Sequence, residues 1–217
     1  MRLFSSDSLL SKTLSLIGDI VTLHFIWLFC SLPVFTIGAS TTALYYAMMK
    51  RIRTEEGYVA KNFMYSFKYN FRQGTILWLL LVCLGILFAI DFQISKSIGG
   101  AAGKCMTVSC AVFLVPYILT CLYIFPILAK FENSIFRNVK NALIMGFKHF
   151  FLSLFLLIIC ATFSLLALTF PPFIGLLICC GAGLHCYISS NIFIYIFRQY
   201  LPKEADSDIE KSGKRLE

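Results

Sequence analysis

The sequence predicts an all-α integral membrane protein, a bundle of five transmembrane helices with amphipathic cytoplasmic connecting helices. Three observations predict it. Residues 20–49 contain no Asp, Glu, Lys or Arg, and four further long apolar runs follow. A bilayer core of ~30 Å takes about 20 helical residues to cross, which such runs supply. Hydrophobic residues make up 59% of the 217 and charged residues only 14%, against roughly 45–50% apolar and about 25% charged in soluble domains. The charge that remains, a net +8, is gathered in the segments between the runs.

Taken in chain order, the predicted spans are residues 20–43, 75–94, 105–129, 150–170 and 173–197. No strand-like alternation of barrel type occurs, and backbone groups in lipid must be satisfied internally, so helices are the reading. Pro33, Pro116 and Pro126 are expected to kink or locally break their helices. Pro171-Pro172 reads as a tight turn before the last span. The first segment has a second reading, because Ser31-Leu32-Pro33 also suits a turn. Residues 14–31 and 34–49 would then form a short hairpin, giving six segments in place of five. The N-terminal stretch lacks the compact cationic and apolar regions of a cleaved signal and is read as retained.

Orientation follows from the charges. With five spans, one side carries Lys50, Arg51, Arg53, Lys61, Lys68 and Arg72, then Lys130, Arg137, Lys140 and Lys148, then Arg198, Lys203, Lys211, Lys214 and Arg215. The other side carries Arg2, Lys12, Lys96 and Lys104. The positive-inside rule places the C-terminus in the cytoplasm and, for five spans, the N-terminus outside the plasma membrane. The hairpin reading brings the N-terminus inside. Residues 1–200 read as one transmembrane domain, and residues 201–217, rich in both charges and without apolar period, as a disordered cytoplasmic tail.

An offset of 80 residues aligns Lys50 with Lys130, Val59 with Val139, Phe67-Lys68 with Phe147-Lys148 and Phe71 with Phe151. The two units, about 25–104 and 105–184, suggest a parallel repeat of the kind some transporters use. Within the first unit Phe63, Phe67 and Phe71 recur every four residues, while Lys61, Lys68 and Arg72 take another face. That pattern predicts an interfacial helix with rings in the acyl boundary and cations among anionic lipid headgroups, worth about 1 kcal/mol per basic residue. A nucleic-acid groove would need rings and cations along one surface, so nucleic acid is excluded as a partner.

Several residue types could carry chemistry. The nine cysteines lie in or at the edges of apolar runs, with no CxxC pair, and read as small packing residues rather than metal ligands or disulfides. No HExxH, GxSxG, Walker A or GxGxxG pattern occurs, so neither enzyme activity nor a cofactor is expected. Ionisable groups at membrane depth are the functional candidates. His185 is central in the last predicted span, with Ser189 one turn on and Asn191 beyond it, which suggests a polar side directed into the bundle. These residues suit either a substrate or proton contact or a structural bond to a neighbouring helix. Asp91, near the outer end of its span, is a further candidate. Asp19 and His24 read as interfacial. Gly38, Thr42, Ala39 and Ala43 form a small-residue face that lets another helix approach closely.

The run Leu32-Pro33-Val34-Phe35-Thr36-Ile37-Gly38-Ala39-Ser40-Thr41-Thr42-Ala43-Leu44-Tyr45-Tyr46 resembles the YesL family, small bacterial multi-pass membrane proteins of unknown function. Ser66-Phe67-Lys68-Tyr69-Asn70-Phe71-Arg72-Gln73 continues the resemblance, as do Ala129-Lys130-Phe131-Glu132-Asn133 and Asn138-Val139-Lys140-Asn141-Ala142-Leu143. The resemblance covers most of residues 14–170 and implies an accessory role beside a carbohydrate ABC transporter, with its permease subunits as partners. It implies no site residues. Two functions are therefore expected to compete: a non-enzymatic accessory or assembly factor, and a small-solute transporter or channel with a polar path near His185.

Overall fold

The computed structural model describes residues 9–55, 57–169 and 180–200. Among these the chain is helical, with no strand. Its helices are α1 (Leu9–Cys30), α2 (Ile37–Thr54), α3 (Val59–Ile98), α4 (Gly100–Lys130), α5 (Ile135–Lys148), α6 (Phe150–Thr169) and α7 (Ala182–Arg198). By length and composition three of them can cross a membrane: Ser11–Cys30, Val59–Ile98 and Gly100–Lys130. The pair α5 and α6, bent by 97°, makes a fourth if it is one broken span. Among the described residues the protein is thus all-helical, with several long apolar helices of membrane type. The tail at 201–217 and the Pro171-Pro172 turn lie outside the described residues, as does the start of the run at 173–197.

The first apolar run is not one helix. Helix α1 ends at Cys30, and the chain turns through Ser31, Leu32 and Pro33 into a short 3₁₀ turn, Val34–Thr36, before α2 begins. The Thr36 hydroxyl closes this corner by donating to the carbonyls of Cys30 and Pro33, 2.6 Å from each. Pro33 supplies no N–H to continue the helical ladder, so the run breaks there. The two helices then lie antiparallel: Trp27 Nε1 donates to Thr41 Oγ1 at 3.2 Å, Arg51 reaches Asp19, and Lys12 Nζ is 3.1 Å from Glu55 Oε2. This corrects the single span at 20–43 in favour of the hairpin. It also puts the start of α1 at the same end of the bundle as the basic residues after Met49. The five-span reading had separated those two points.

Helix α3 is the second correction. Its 40 residues make a rod of about 60 Å, so the amphipathic stretch and the following span are one continuous helix. Its first half packs antiparallel along α2, where Lys50 Nζ donates to Asn62 Oδ1 at 3.1 Å and Gly38 meets Gly74. Its second half pairs with α4. The turn between them is tight and needs glycine, since Gly99 and Gly100 have φ of 64° and 61°. Contacts then run antiparallel along the pair: Ser95 with Gly103 and Thr107, Tyr117 Oη to the Leu81 carbonyl at 3.0 Å, Tyr69 Oη to Glu132 Oε1 at 3.0 Å. Helix α4 runs on through Pro116 and Pro126 without ending. The outward faces of this pair are apolar and exposed, including Leu87, Ile90, Val112 and Phe113, as lipid-facing surface requires.

Lipid is as apolar as leucine, so helices here associate through close packing and interhelical hydrogen bonds. The core answers that description. Leu23, Met48, Phe63, Leu77, Tyr123, Phe193 and Phe197 are fully buried together. Tyr123 Oη lies 2.9 Å from Ser153 Oγ, which ties α4 to α6. In the repeat seen in the sequence, Lys50 and Lys130 come to one cavity at the basic end. Their following segments differ, however: the first continues straight into α3, whereas α5 and α6 are separated by the sharp bend.

Candidate functional site

Polar groups inside the bundle collect where α1, α2, α6 and α7 meet. Helix α7 can approach α1 closely because Gly183 has no side chain: a Cβ there would strike the Ile20 carbonyl and sit 3.3 Å from His24 Cβ. The Ala182 N–H donates to His24 Nδ1 at 3.2 Å. His24 is only 3% exposed, so it is a buried tie between first and last helices rather than an interfacial residue. One turn along α7, His185 turns towards α6, with Nε2 3.0 Å from Cys160 Sγ and its ring edge-on to Phe163 at 5.8 Å. Beside them opens a cavity of about 370 Å³, walled by Trp27, Thr41, Tyr45, Cys160 and His185 among others. An imidazole, a thiol and a hydroxyl can hydrogen-bond a small neutral solute there. No carboxylate lines it among the described residues, and no group of His, Cys, Asp and Glu suited to a metal ion occurs among them.

A second polar cluster lies nearer the basic end of α1. Asp19 accepts from Arg51 Nε, and Arg51 Nη2 donates to Ser15 Oγ at 3.3 Å. Both charged side chains are largely withdrawn from solvent, 9% exposed for Arg51 and 14% for Asp19. A cavity of about 440 Å³ opens alongside, reached by Lys12, Ser15, Arg51, Glu55 and Tyr187. Sequence reasoning had used Arg51 as a topology marker and left Asp19 at the interface. The signal available was an acid and a base at the two ends of a charge-free run with a proline near its middle.

The predicted site residues distribute unevenly. His185 and Ser189 face inward, and Ser189 is buried near Tyr45. Asn191 does not join them: it is exposed and donates from Nδ2 to the Tyr187 carbonyl of its own helix at 2.7 Å, which corrects the shared polar side. Asp91 sits on the second half of α3, the part that pairs with α4, away from the His185 cavity. Gly38, Ala39, Thr42 and Ala43 are all buried on α2, with Gly38 and Ala39 against Gly74. On α3, Lys61, Lys68 and Arg72 are exposed. The rings beside them do not form one lipid-facing row. Phe63 is 0% exposed, Phe67 half-buried and stacked on it at 6.2 Å, and only Phe71 is exposed. Helix α2 covers the start of the row, which corrects the interfacial placement of Phe63. The described cysteines are free thiols, and Cys179 lies outside the described residues.

Between the His185 cavity and the basic end stands a chain of aromatic rings. Tyr45, which lines that cavity, is edge-on to Phe193 at 5.7 Å, and Phe193 meets Tyr123 at 5.2 Å and Phe197 at 5.7 Å. Phe193 and Phe197 are buried to within 1%.

Residues 20–92 match the family model described as "Protein of unknown function, DUF624". The DUF624 match runs from the middle of α1 into the second half of α3. It therefore includes the turn at Pro33, the Gly38 and Gly74 contact, and Arg51, and begins one residue after Asp19. Neither the curated proteins nor the solved structures contain a match to this chain.

Proposed function

We propose that this chain is a non-enzymatic membrane accessory protein that assists a partner membrane complex, with carbohydrate ABC uptake as the system. The observation that carries the non-transport half of this reading is the ring chain Tyr45, Phe193 and Phe197. It fills the space between the His185 cavity and the cations at the basic end with close-packed side chains. A permeation path would want that space polar. The carbohydrate system and its permease subunits come from the resemblance to the YesL family alone. In the proposed orientation the basic end faces the cytoplasm, which takes both the start of α1 and the end of α7 to that side.

Crosslinking in native membranes followed by identification of neighbours tests the proposal. Recovery of ABC permease subunits, at a level that survives detergent exchange, is the expected result. A chain that repeatedly crosslinks only to itself and to lipid would count against it.

A second reading rests on the His185 and Cys160 contact at a cavity large enough for a small solute. If the chain moved solutes itself, liposomes holding it would take up a labelled sugar or amino acid, and His185→Ala would change the rate. The expected outcome is uptake no faster than from empty liposomes for both proteins. Flux that falls at least tenfold in His185→Ala, a rise of about 1.4 kcal/mol in the barrier, would reverse the order of the two readings.

A further inference from the structure

Four cations from three helices converge on one hollow at the basic end. Lys50 and Arg53 come from α2, Lys130 from the last turn of α4 and Arg198 from the last turn of α7. The hollow has a volume of about 260 Å³, and Met49, Ile194 and Phe197 give it an apolar floor. Thr54 adds a hydroxyl at the rim, and no Asp or Glu lines it among the described residues. Lys50 is steered in part by Asn62, whose Oδ1 accepts its ammonium at 3.1 Å. These four positions are 50, 53, 130 and 198 in the chain, so the fold, not a local charge run, assembles them.

We propose that this cavity is a binding site for a phosphoanion with an apolar neighbour. Guanidinium groups match phosphate oxygens with paired N–H donors, and ammonium groups add point charge. An apolar floor beneath such a ring suits a molecule with a charged head and a greasy attachment. Basic pockets between membrane helices on the cytoplasmic side are where anionic headgroups bind. The same chemistry would also take a water-soluble phosphate. What matters is convergence: four cationic residues from three helices line one cavity. The exposed Lys61, Lys68 and Arg72 of α3 are not among the residues lining this hollow, so they separate the site from a basic surface. The inference stands apart from the accessory role, since a lipid or phosphate site is compatible with either function.

The purified full-length chain in neutral detergent tests it, with the thermal unfolding midpoint followed during titration. The titrants are phosphatidylglycerol, phosphatidylcholine and inorganic phosphate. Saturable protection by phosphatidylglycerol but not by phosphatidylcholine assigns a lipid headgroup. Protection by inorganic phosphate alone assigns a soluble phosphoanion. In either case Arg53→Gln with Arg198→Gln should weaken the apparent affinity on the order of tenfold or more, since two cations are lost. Met49→Trp, which fills the floor and leaves every charge, should weaken it likewise. Lys61→Gln with Lys68→Gln should change it less than about twofold, as expected of cations outside the site. If one cavity variant does not fold, the other carries the comparison. The proposal is overturned if neither phosphatidylglycerol nor phosphate protects the unaltered chain beyond phosphatidylcholine. Equal weakening by the α3 pair and the cavity variants would overturn it as well, because the effect would then be one of general surface charge.

Discussion

Arg51→Ala alone is expected to lower the stability of the bundle by about 3 kcal/mol, and Asp19→Ala alone by a similar amount, because each leaves a buried charge without its partner. The two side chains are 9% and 14% exposed and contact each other directly. Exposed ion pairs are worth ~1 kcal/mol or less, so burial is what sets the size. The pair sits between α1, a helix apolar enough to cross a membrane, and the end of α2. At that position a lone carboxylate or guanidinium must draw in water or headgroups, and the hairpin would have to open to admit them. The double replacement, Asp19→Leu with Arg51→Met, removes both charges and should recover most of the loss. A double-mutant cycle on the purified chain, read by thermal unfolding in a mild detergent, measures the coupling directly. Single variants within about 0.5 kcal/mol of the unaltered chain would place the pair among ordinary surface contacts. A double variant as unstable as the sum of the two singles would show that the charges are not coupled at all.

Most helices were legible from composition, but their partners were not. The apolar runs at 75–94 and 105–129 fall inside α3 and α4, and α6 takes up residues 150–169 of the third run at 150–170. Their absence of charge over some twenty residues is a local property, and lipid selects for it locally. The start of α3 was misread because composition changes sharply at Gly74, from cationic and amide residues to leucines. A change in solvent does not end a helix. No proline interrupts Val59–Ile98, and Gly74 serves packing rather than hinging.

The hairpin at Pro33 was undecidable locally, since a proline at that point suits a kink as well as a turn. Contacts far apart in sequence decide it: Trp27 with Thr41, Asp19 with Arg51, Lys12 with Glu55. The same limit explains Phe63. Its spacing with Phe67 and Phe71 identifies a face of the helix, yet spacing cannot say that α2 covers one end of that face and leaves the other open. His185 was found because a histidine in an apolar run stands out. Its neighbour Cys160 was not, because a cysteine in such a run looks like any small apolar residue.

These contacts also bear on what the molecule can do. The DUF624 match at 20–92 takes in the second half of α1, all of α2 and most of α3. In that region the hairpin meets the rod backbone to backbone at Gly38 and Gly74.

Gly38→Val and Gly74→Val should therefore be among the most damaging substitutions in the chain. A Cβ at Gly38 would point at the Gly74 carbonyl and lie 2.6 Å from Trp78 Cβ, and one at Gly74 would lie 2.8 Å from Ala39 Cα and 2.9 Å from Ala39 N. Real Cβ atoms essentially never come within 3.0 Å of another group. The obstacles are backbone atoms and a Cβ, which no rotamer change moves, so whole helices must separate. Forced overpacking of this kind costs about 1–3 kcal/mol for one extra group, and valine adds two more methyls at the same point. Even alanine should register, although it favours the helix by up to about 1 kcal/mol over glycine.

Gly18, on α1, provides the contrast: nothing lies within 4 Å of its Cβ position. Gly18→Ala should be neutral or stabilising by as much as ~1 kcal/mol, since only helix propensity is at stake. Folded yield in membranes and the unfolding midpoint of the purified chain read all three positions. If Gly38→Ala and Gly74→Ala proved as harmless as Gly18→Ala, α2 and α3 would not be in backbone contact, and the antiparallel packing of the hairpin on the rod would have to be abandoned.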